Sequence, residues 1–182
     1  MRLSLNTLGI ILGVFFTVVY GTFSLFTWHR GVDAYVAFLP FAKFGWETIV
    51  VILLIGAGLW WRQGYMPFKR GVQYAFLAYV IYELGYALVN VVIYDILDKG
   101  FNHGVIVTSL QKELAQSVKM GLTTEQIKDT LATEEAHPSG PITFLQLLLG
   151  FGQSLLFDFI KSMLVALAIQ KKLTAPPVAS TQ

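Results

Sequence analysis

The sequence contains no cysteine among its 182 residues. Disulfide bonds, thiolate metal sites and cysteine nucleophiles are therefore excluded. The three histidines, His29, His103 and His137, are isolated and show no paired spacing such as HExxH. Asp95, Asp98 and His103 lie near one another in the chain, but their spacing matches no known ligand pattern. We expect neither a metal nor a cofactor.

Charged residues are also scarce. Only 13% of the residues are charged, 55% are hydrophobic, and the mean hydropathy is +0.62. This composition is typical of a polytopic membrane protein, whose first partner is the lipid bilayer. The 13 lysines and arginines occur in ones and twos at the ends of apolar runs, which argues against nucleic-acid binding. The sequence has no GxSxG motif and no phosphate-binding glycine loop, so we predict no catalytic residues and disfavour an enzyme.

Four apolar runs are long enough to cross a bilayer as helices, since about 20 residues suffice. They cover about residues 4–28, 44–61, 71–94 and 142–170. The first run exceeds the apolar core of a signal peptide and no cleavage site of small residues follows it, so we expect an uncleaved helix. The predicted fold class is therefore all-α, a four-helix membrane domain over residues 1–172 with a disordered, proline-rich tail at 173–182.

The basic residues near the span ends indicate an orientation. One side of the membrane would carry Arg2, Arg62, Lys69, Arg70, Lys171 and Lys172. The opposite side would carry Arg30, Lys43 and Lys99. Because cytoplasmic loops are enriched in Lys and Arg, both termini are predicted to be cytoplasmic.

A polar segment, residues 95–141, separates the third and fourth spans and is predicted on the outer face. It predicts an amphipathic helix, because apolar residues recur at spacings of three or four at Val107, Leu110, Leu114 and Val118. The stretch TTEQIKDTL predicts a second, shorter helix. The segment is too small to bury a core of its own, so its apolar edges either bind another envelope protein through residues 104–136 or lie on the outer leaflet.

This layout resembles domain-of-unknown-function family 4199, a family of small four-helix bacterial membrane proteins. The resemblance rests on the first span LGIILGVFF, the link GYMPFKRGVQYAF, the outer stretch MGLTTEQIKDTL and the final AIQKK. It covers nearly the whole chain. It implies an inner-membrane protein of unknown function and supplies no catalytic residues.

Three ionisable residues lie well inside the predicted spans: Glu83 in the third, and Asp158 and Lys161 in the fourth. A charge at the centre of a membrane helix costs roughly 2.5–3.5 kcal/mol, so such residues usually face the bundle interior and are paired. Asp158 and Lys161 share a helix face, and Glu83 and Asp158 lie at similar depth. We predict that all three form one cluster between these two spans.

Hydrogen-bonding and small residues flank the charges at helical spacing, as is usual where membrane helices pack. The predicted intramembrane polar cluster comprises Glu83, Tyr86 and Asn90 on the third span, and Ser154, Asp158 and Lys161 on the fourth. If all three charged groups ionise, one negative charge is uncompensated, and one carboxyl is then expected to hold a proton. The cluster is either a structural clamp that fixes helix register or a functional site for a proton relay or ion coupling.

For other residues of the spans, we predict roles in packing, solvation and membrane-interface contact. Gly9 and Gly13 form a GxxxG step, which favours packing within the chain over dimerisation. Glu47 lies near the outer end of the predicted second span and is expected to be a solvated carboxylate. The tryptophans are expected to form an interfacial belt: Trp28, Trp46, Trp60 and Trp61.

Two functions from different classes fit these observations. The first is a non-enzymatic integral membrane subunit or scaffold of the bacterial inner membrane, which binds an envelope protein through its outer segment. The second is a small proton- or ion-coupled transporter that uses the Glu/Asp/Lys cluster. Four spans are few for a complete pathway, so the transporter would need a homo-oligomer, and no inverted repeat of broken helices is visible.

Overall fold

The computed structural model describes residues 4–61, 66–120, 123–138 and 144–170. Over these residues the chain forms seven α-helices: α1 (Leu5–His29), α2 (Val32–Pro40), α3 (Trp46–Trp61), α4 (Phe68–Val91), α5 (Phe101–Lys119), α6 (Glu125–Ala136) and α7 (Phe144–Ile169). Two π-helical segments, Phe41–Gly45 and Val92–Leu97, join α2 to α3 and extend α4. Four helical stretches are long and apolar enough to cross a membrane: Leu5–His29, Val32–Trp61, Phe68–Leu97 and Gln146–Ile169. The predicted all-α fold with four spans is confirmed.

Local sequence signals define both ends of the first span. Ser4 is the N-cap of α1, and its hydroxyl accepts a hydrogen bond of 3.1 Å from the Thr7 N–H. After α1, Gly31 adopts a φ of 95°, which favours glycine, and the chain then enters α2.

The second span begins at Val32, well before residue 44, where the sequence pattern places it. Pro40 and Lys43 interrupt the apolar run in the sequence. In the structure, the helix nevertheless continues through Pro40 and passes directly into the π-helical segment Phe41–Gly45. Membrane helices tolerate proline where local π-helical adjustments satisfy the freed backbone groups. Glu47 therefore lies near the middle of a 30-residue span rather than at its outer end.

Trp46 does not belong to an interfacial belt. It lies beside Glu47 inside the bundle, is buried, and packs edge-on against Phe16 of α1 with ring centroids 6.2 Å apart. Trp60, by contrast, is exposed near the end of α3. The early start of the second span explains the difference, because it moves Trp46 from the span end to its middle.

Helix α4 packs along both α1 and α7, while α3 packs on α7 and contacts α1. Glycine permits the closest of these approaches. A Cβ atom on Gly9 would lie 2.7 Å from the Tyr74 carbonyl oxygen, and one on Gly13 would lie 2.6 Å from that of Ala78. The two glycines of the GxxxG step thus face α4 of the same chain. Gly85 of α4 makes the reciprocal approach to α1.

The segment between the third and fourth spans forms a helical hairpin that packs on α2. Helix α5 packs on α2, and α6 packs on α5. Tyr35 of α2, Tyr94 and Phe101 belong to a second, smaller apolar core, and the Tyr94 hydroxyl donates a hydrogen bond of 3.1 Å to that of Tyr35. His103 Nδ1 lies 2.9 Å from Glu134 Oε1, which connects α5 to α6.

The predicted apolar edge of α5 is only partly covered. Val107, Leu110 and Leu114 are half-buried, whereas Val118 is 60% exposed. Several other sequence predictions fall outside the described residues, namely the tail at 173–182 and the basic residues Arg2, Arg62, Lys171 and Lys172.

Candidate functional site in the centre of the helix bundle

Lys161 of α7 forms ion pairs with two carboxylates. Its Nζ lies 2.6 Å from Asp158 Oδ1 and also donates a hydrogen bond to Glu47 Oε2. The same ammonium group lies 4.9 Å from the centre of the Tyr79 ring on α4, within range of a cation–π interaction. Lys161 therefore connects α7 to both α3 and α4, and Glu47 is a paired carboxylate rather than a solvated one.

Asp158 is the most deeply buried member of this ion-paired group. Its side chain is 1% exposed, whereas those of Glu47 and Lys161 are 24% and 26% exposed. Among the described residues, nothing donates a hydrogen bond to Asp158 Oδ2. The Ser162 hydroxyl donates to the Asp158 main-chain oxygen at 2.6 Å and leaves the carboxylate to Lys161.

Glu83 of α4 is different, because the described part of the chain gives it no cationic partner in an ion pair. The residue is only 7% exposed. Ser154 lines the same two cavities as Glu83, and Glu47, Asp158 and Lys161 are close enough to act on Glu83 electrostatically. The structure thus brings the three predicted charges into one region, but it divides them into an ion-paired group and a separate buried acid.

Glu83 lines a cavity of about 410 Å³ to which all four spans contribute. We call it the central cavity; its lining is Tyr20, Leu39, Ala42, Lys43, Glu47, Tyr82, Glu83, Tyr86 and Ser154. Its walls therefore combine two carboxylates with three tyrosines. Lys43 is an exposed residue of the lining, and its Nζ lies 5.7 Å from the centre of the Phe44 ring.

A second cavity, of about 210 Å³, lies between α4 and α7. We call it the lateral cavity; its polar lining is Glu83, Tyr86, Asn90, Gln146 and Ser154. Four of the six residues of the predicted polar cluster meet here. Three of them, Glu83, Tyr86 and Ser154, also line the central cavity, so Glu83 is shared between the two.

The site is acidic overall. Glu47, Glu83 and Asp158 provide three carboxylates, whereas Lys161 and the exposed Lys43 provide two ammonium groups, which leaves one negative charge in excess when all five groups ionise. Uncompensated charge in a low-dielectric interior is costly, so the site favours the uptake of protons or of a cation. Among the residues that the structure describes, no three His, Asp or Glu side chains are grouped closely enough to hold a metal ion.

Sequence reasoning missed Glu47 and the tyrosines Tyr20 and Tyr82. The sequence does contain a signal for Glu47. If the second span is predicted to begin at Val32 and to continue through Pro40, Glu47 lies near the middle of that span. The tyrosines have no comparable signal, because their position on the cavity wall depends on how α1 and α4 pack.

A comparison with known protein families gives a match over most of the chain. Residues 7–171 match the model of a family described as a protein of unknown function, DUF4199. No curated protein matches the chain, and no solved structure does. The matched range covers all seven described helices apart from the first two residues of α1. It also contains every residue of the site. The chain therefore belongs to the DUF4199 family of proteins of unknown function.

Proposed function

We propose that this protein is a bacterial inner-membrane protein that takes up and releases a proton or a small cation at Glu83, as part of proton- or ion-coupled transport. Both termini are cytoplasmic in this proposal, and the α5–α6 hairpin lies on the opposite side. The observation that carries it is Glu83 itself, a buried acid that is shared by two cavities and has no ion-pairing cation among the residues that the structure describes. Ionisable residues inside membrane spans commonly mark ion pathways and proton relays.

The ion-paired group supports the proposal by accounting for the other charges. Lys161 bridges Glu47 and Asp158, an arrangement expected of a structural clamp between α3 and α7. A clamp needs no further acid, yet Glu83 lies beside it at the cavity wall. We therefore assign the clamp role to Glu47, Asp158 and Lys161, and the exchange role to Glu83.

The test is a flux measurement on purified protein in liposomes that contain a pH-sensitive dye. A potassium diffusion potential would drive proton entry, which we expect to exceed that of protein-free liposomes. Glu83→Gln should abolish the excess, because the amide cannot take up a proton. Glu135→Gln makes the same change on the exposed surface of α6 and should leave the flux unchanged. Flux that is equal in Glu83→Gln and wild type would remove Glu83 from the proposal.

A second candidate function, a membrane subunit that docks an envelope protein through residues 104–136, is favoured by the exposure of Val118 on α5. Native mass spectrometry of gently extracted protein would test it. A partner that is retained by wild type and lost from Val118→Glu supports docking. Recovery of monomers or homo-oligomers alone would count against it.

A further inference from the structure

We propose that the central cavity binds a compact organic cation, an alkylated ammonium group held by tyrosine faces with Glu83 as its counter-ion. This inference rests on the proposed function, since it names the chemical class of ligand that the Glu83 site exchanges.

The first argument is size and lining. Pockets for small molecules typically span about 300–1,000 Å³ and combine apolar or aromatic walls with a few polar groups. The central cavity, at about 410 Å³, lies at the lower end of this range, so it suits a small ligand. Leu39 and Ala42 supply apolar wall, and Glu83 supplies a buried charge.

The second argument is the arrangement of aromatic rings. Tyr20 lies 4.9 Å from Tyr86 and 6.1 Å from Tyr82 between ring centroids, and Tyr82 lies 6.3 Å from Tyr86. All three residues line the central cavity. Clustered aromatic faces are the usual means of recognising alkylated ammonium groups, because the negative face of each ring attracts the cation.

The third argument is charge. Lys161 pairs with both Glu47 and Asp158, which leaves Glu83 as the lining carboxylate without an ion-pairing cation in the described chain. Lys43, the one cationic residue of the lining, is exposed and holds its ammonium group near the Phe44 ring. A ligand with a single positive charge therefore matches the site.

An inorganic cation fits less well. Calcium takes six to eight oxygen ligands and magnesium requires near-octahedral coordination. Leu39, Ala42 and the tyrosine rings offer little of that, and no group of three metal-binding side chains occurs in the described ranges. The aromatic and apolar walls instead match the alkyl groups of an organic ammonium ion.

The test uses choline and its neutral isostere, in which a carbon atom replaces the quaternary nitrogen. Binding would be measured by isothermal titration calorimetry on the full chain in lipid nanodiscs. We expect saturable binding of choline and none of the isostere. Equal heats from the two compounds, or no saturable binding of choline, would overturn the inference.

Two substitutions at Tyr86 separate the ring from the hydroxyl group. Tyr86→Leu should weaken choline binding by about 3- to 30-fold, the range expected for one cation–π contact, while Tyr86→Phe should retain it. Tyr86 is 37% exposed, so both variants are expected to fold, and their melting temperatures without ligand provide the check. Unchanged binding in a folded Tyr86→Leu variant would refute the aromatic site.

The two proposals can fail separately. If proton flux depends on Glu83 but choline does not bind, the organic-cation inference is wrong and the exchange role stands. If choline binds with the expected dependence on Tyr86 but Glu83→Gln leaves proton flux unchanged, the cavity assignment stands and the proposed exchange at Glu83 is wrong.

Discussion

Removal of Lys161 should destabilise the bundle far more than removal of Asp158, although the two residues form one ion pair. Lys161→Met leaves both Asp158 and Glu47 without their shared ammonium group. Breaking a buried pair by deleting one partner typically costs about 3–5 kcal/mol, because it leaves an uncompensated charge. Since Lys161 compensates two carboxylates, we expect a loss at the upper end of that range.

Asp158→Leu produces a different result, because Lys161 keeps Glu47 as its partner and Tyr79 beneath its ammonium group. The substitution also removes the buried Oδ2 atom, which has no hydrogen-bond partner in the described chain. Replacing buried ionic groups with apolar ones of similar volume is often nearly neutral. We expect a loss of about 1 kcal/mol or less. In the double variant Lys161→Met/Asp158→Leu, Glu47 is the one carboxylate of the ion-paired group left without a cation. Its loss of unfolding free energy should therefore lie between the losses of the two single variants.

The assay is reversible unfolding in mixed micelles, followed by tryptophan fluorescence as the fraction of denaturing detergent rises. Trp46 is buried beside Glu47 and provides a reporter within the bundle. Lys119→Met, on an exposed residue at the end of α5, is the matched control and should change the unfolding free energy by less than about 0.5 kcal/mol. If Asp158→Leu proved as costly as Lys161→Met, the shared clamp would be refuted.

Two further predictions concern helix packing and orientation. Gly85→Ala should destabilise the protein by about 1–3 kcal/mol, because the new Cβ atom would lie 2.1 Å from Thr17 Cγ2 on α1. Gly56→Ala, whose Cβ atom would meet nothing within 4 Å, is the control and should be neutral or slightly stabilising. Equal losses in the two variants would contradict the packing argument. For orientation, the absence of native cysteine permits single-cysteine labelling with a membrane-impermeant maleimide. With the outer membrane permeabilised, Thr130→Cys on α6 should label in intact cells and Asn6→Cys on α1 only after lysis; the reverse pattern would invert the proposed topology.

The sequence predicts the four spans because each is a long apolar run, and hydrophobicity alone determines which segments can cross a bilayer. It misplaces the start of the second span because Pro40 and Lys43 interrupt that run, while the backbone absorbs the proline in a π-helical segment. Local pattern cannot reveal such an adjustment, since the neighbouring helices help to stabilise it.

In the candidate site, too, the sequence predicts the local contact but not the contacts between distant residues. Asp158 and Lys161 pair within one helix, so their spacing in sequence is enough to predict the contact. The partnership of Lys161 with Glu47 joins residues 114 positions apart and depends on how α3 meets α7. The cavities depend on packing even more strongly, because they are the space that the side chains of several helices leave unfilled.

The π-helical segment beside the central cavity changes the direction in which the residues after it face. A π turn closes its hydrogen bonds one residue later than an α turn, so it holds one surplus residue. Pro40 offers no N–H and marks where the surplus begins. The surplus residue offsets the residues that follow it by about 100°, the angle between successive residues of a helix. A regular α-helix continued from α2 would therefore turn Glu47 by about 100° from the direction in which it meets Lys161.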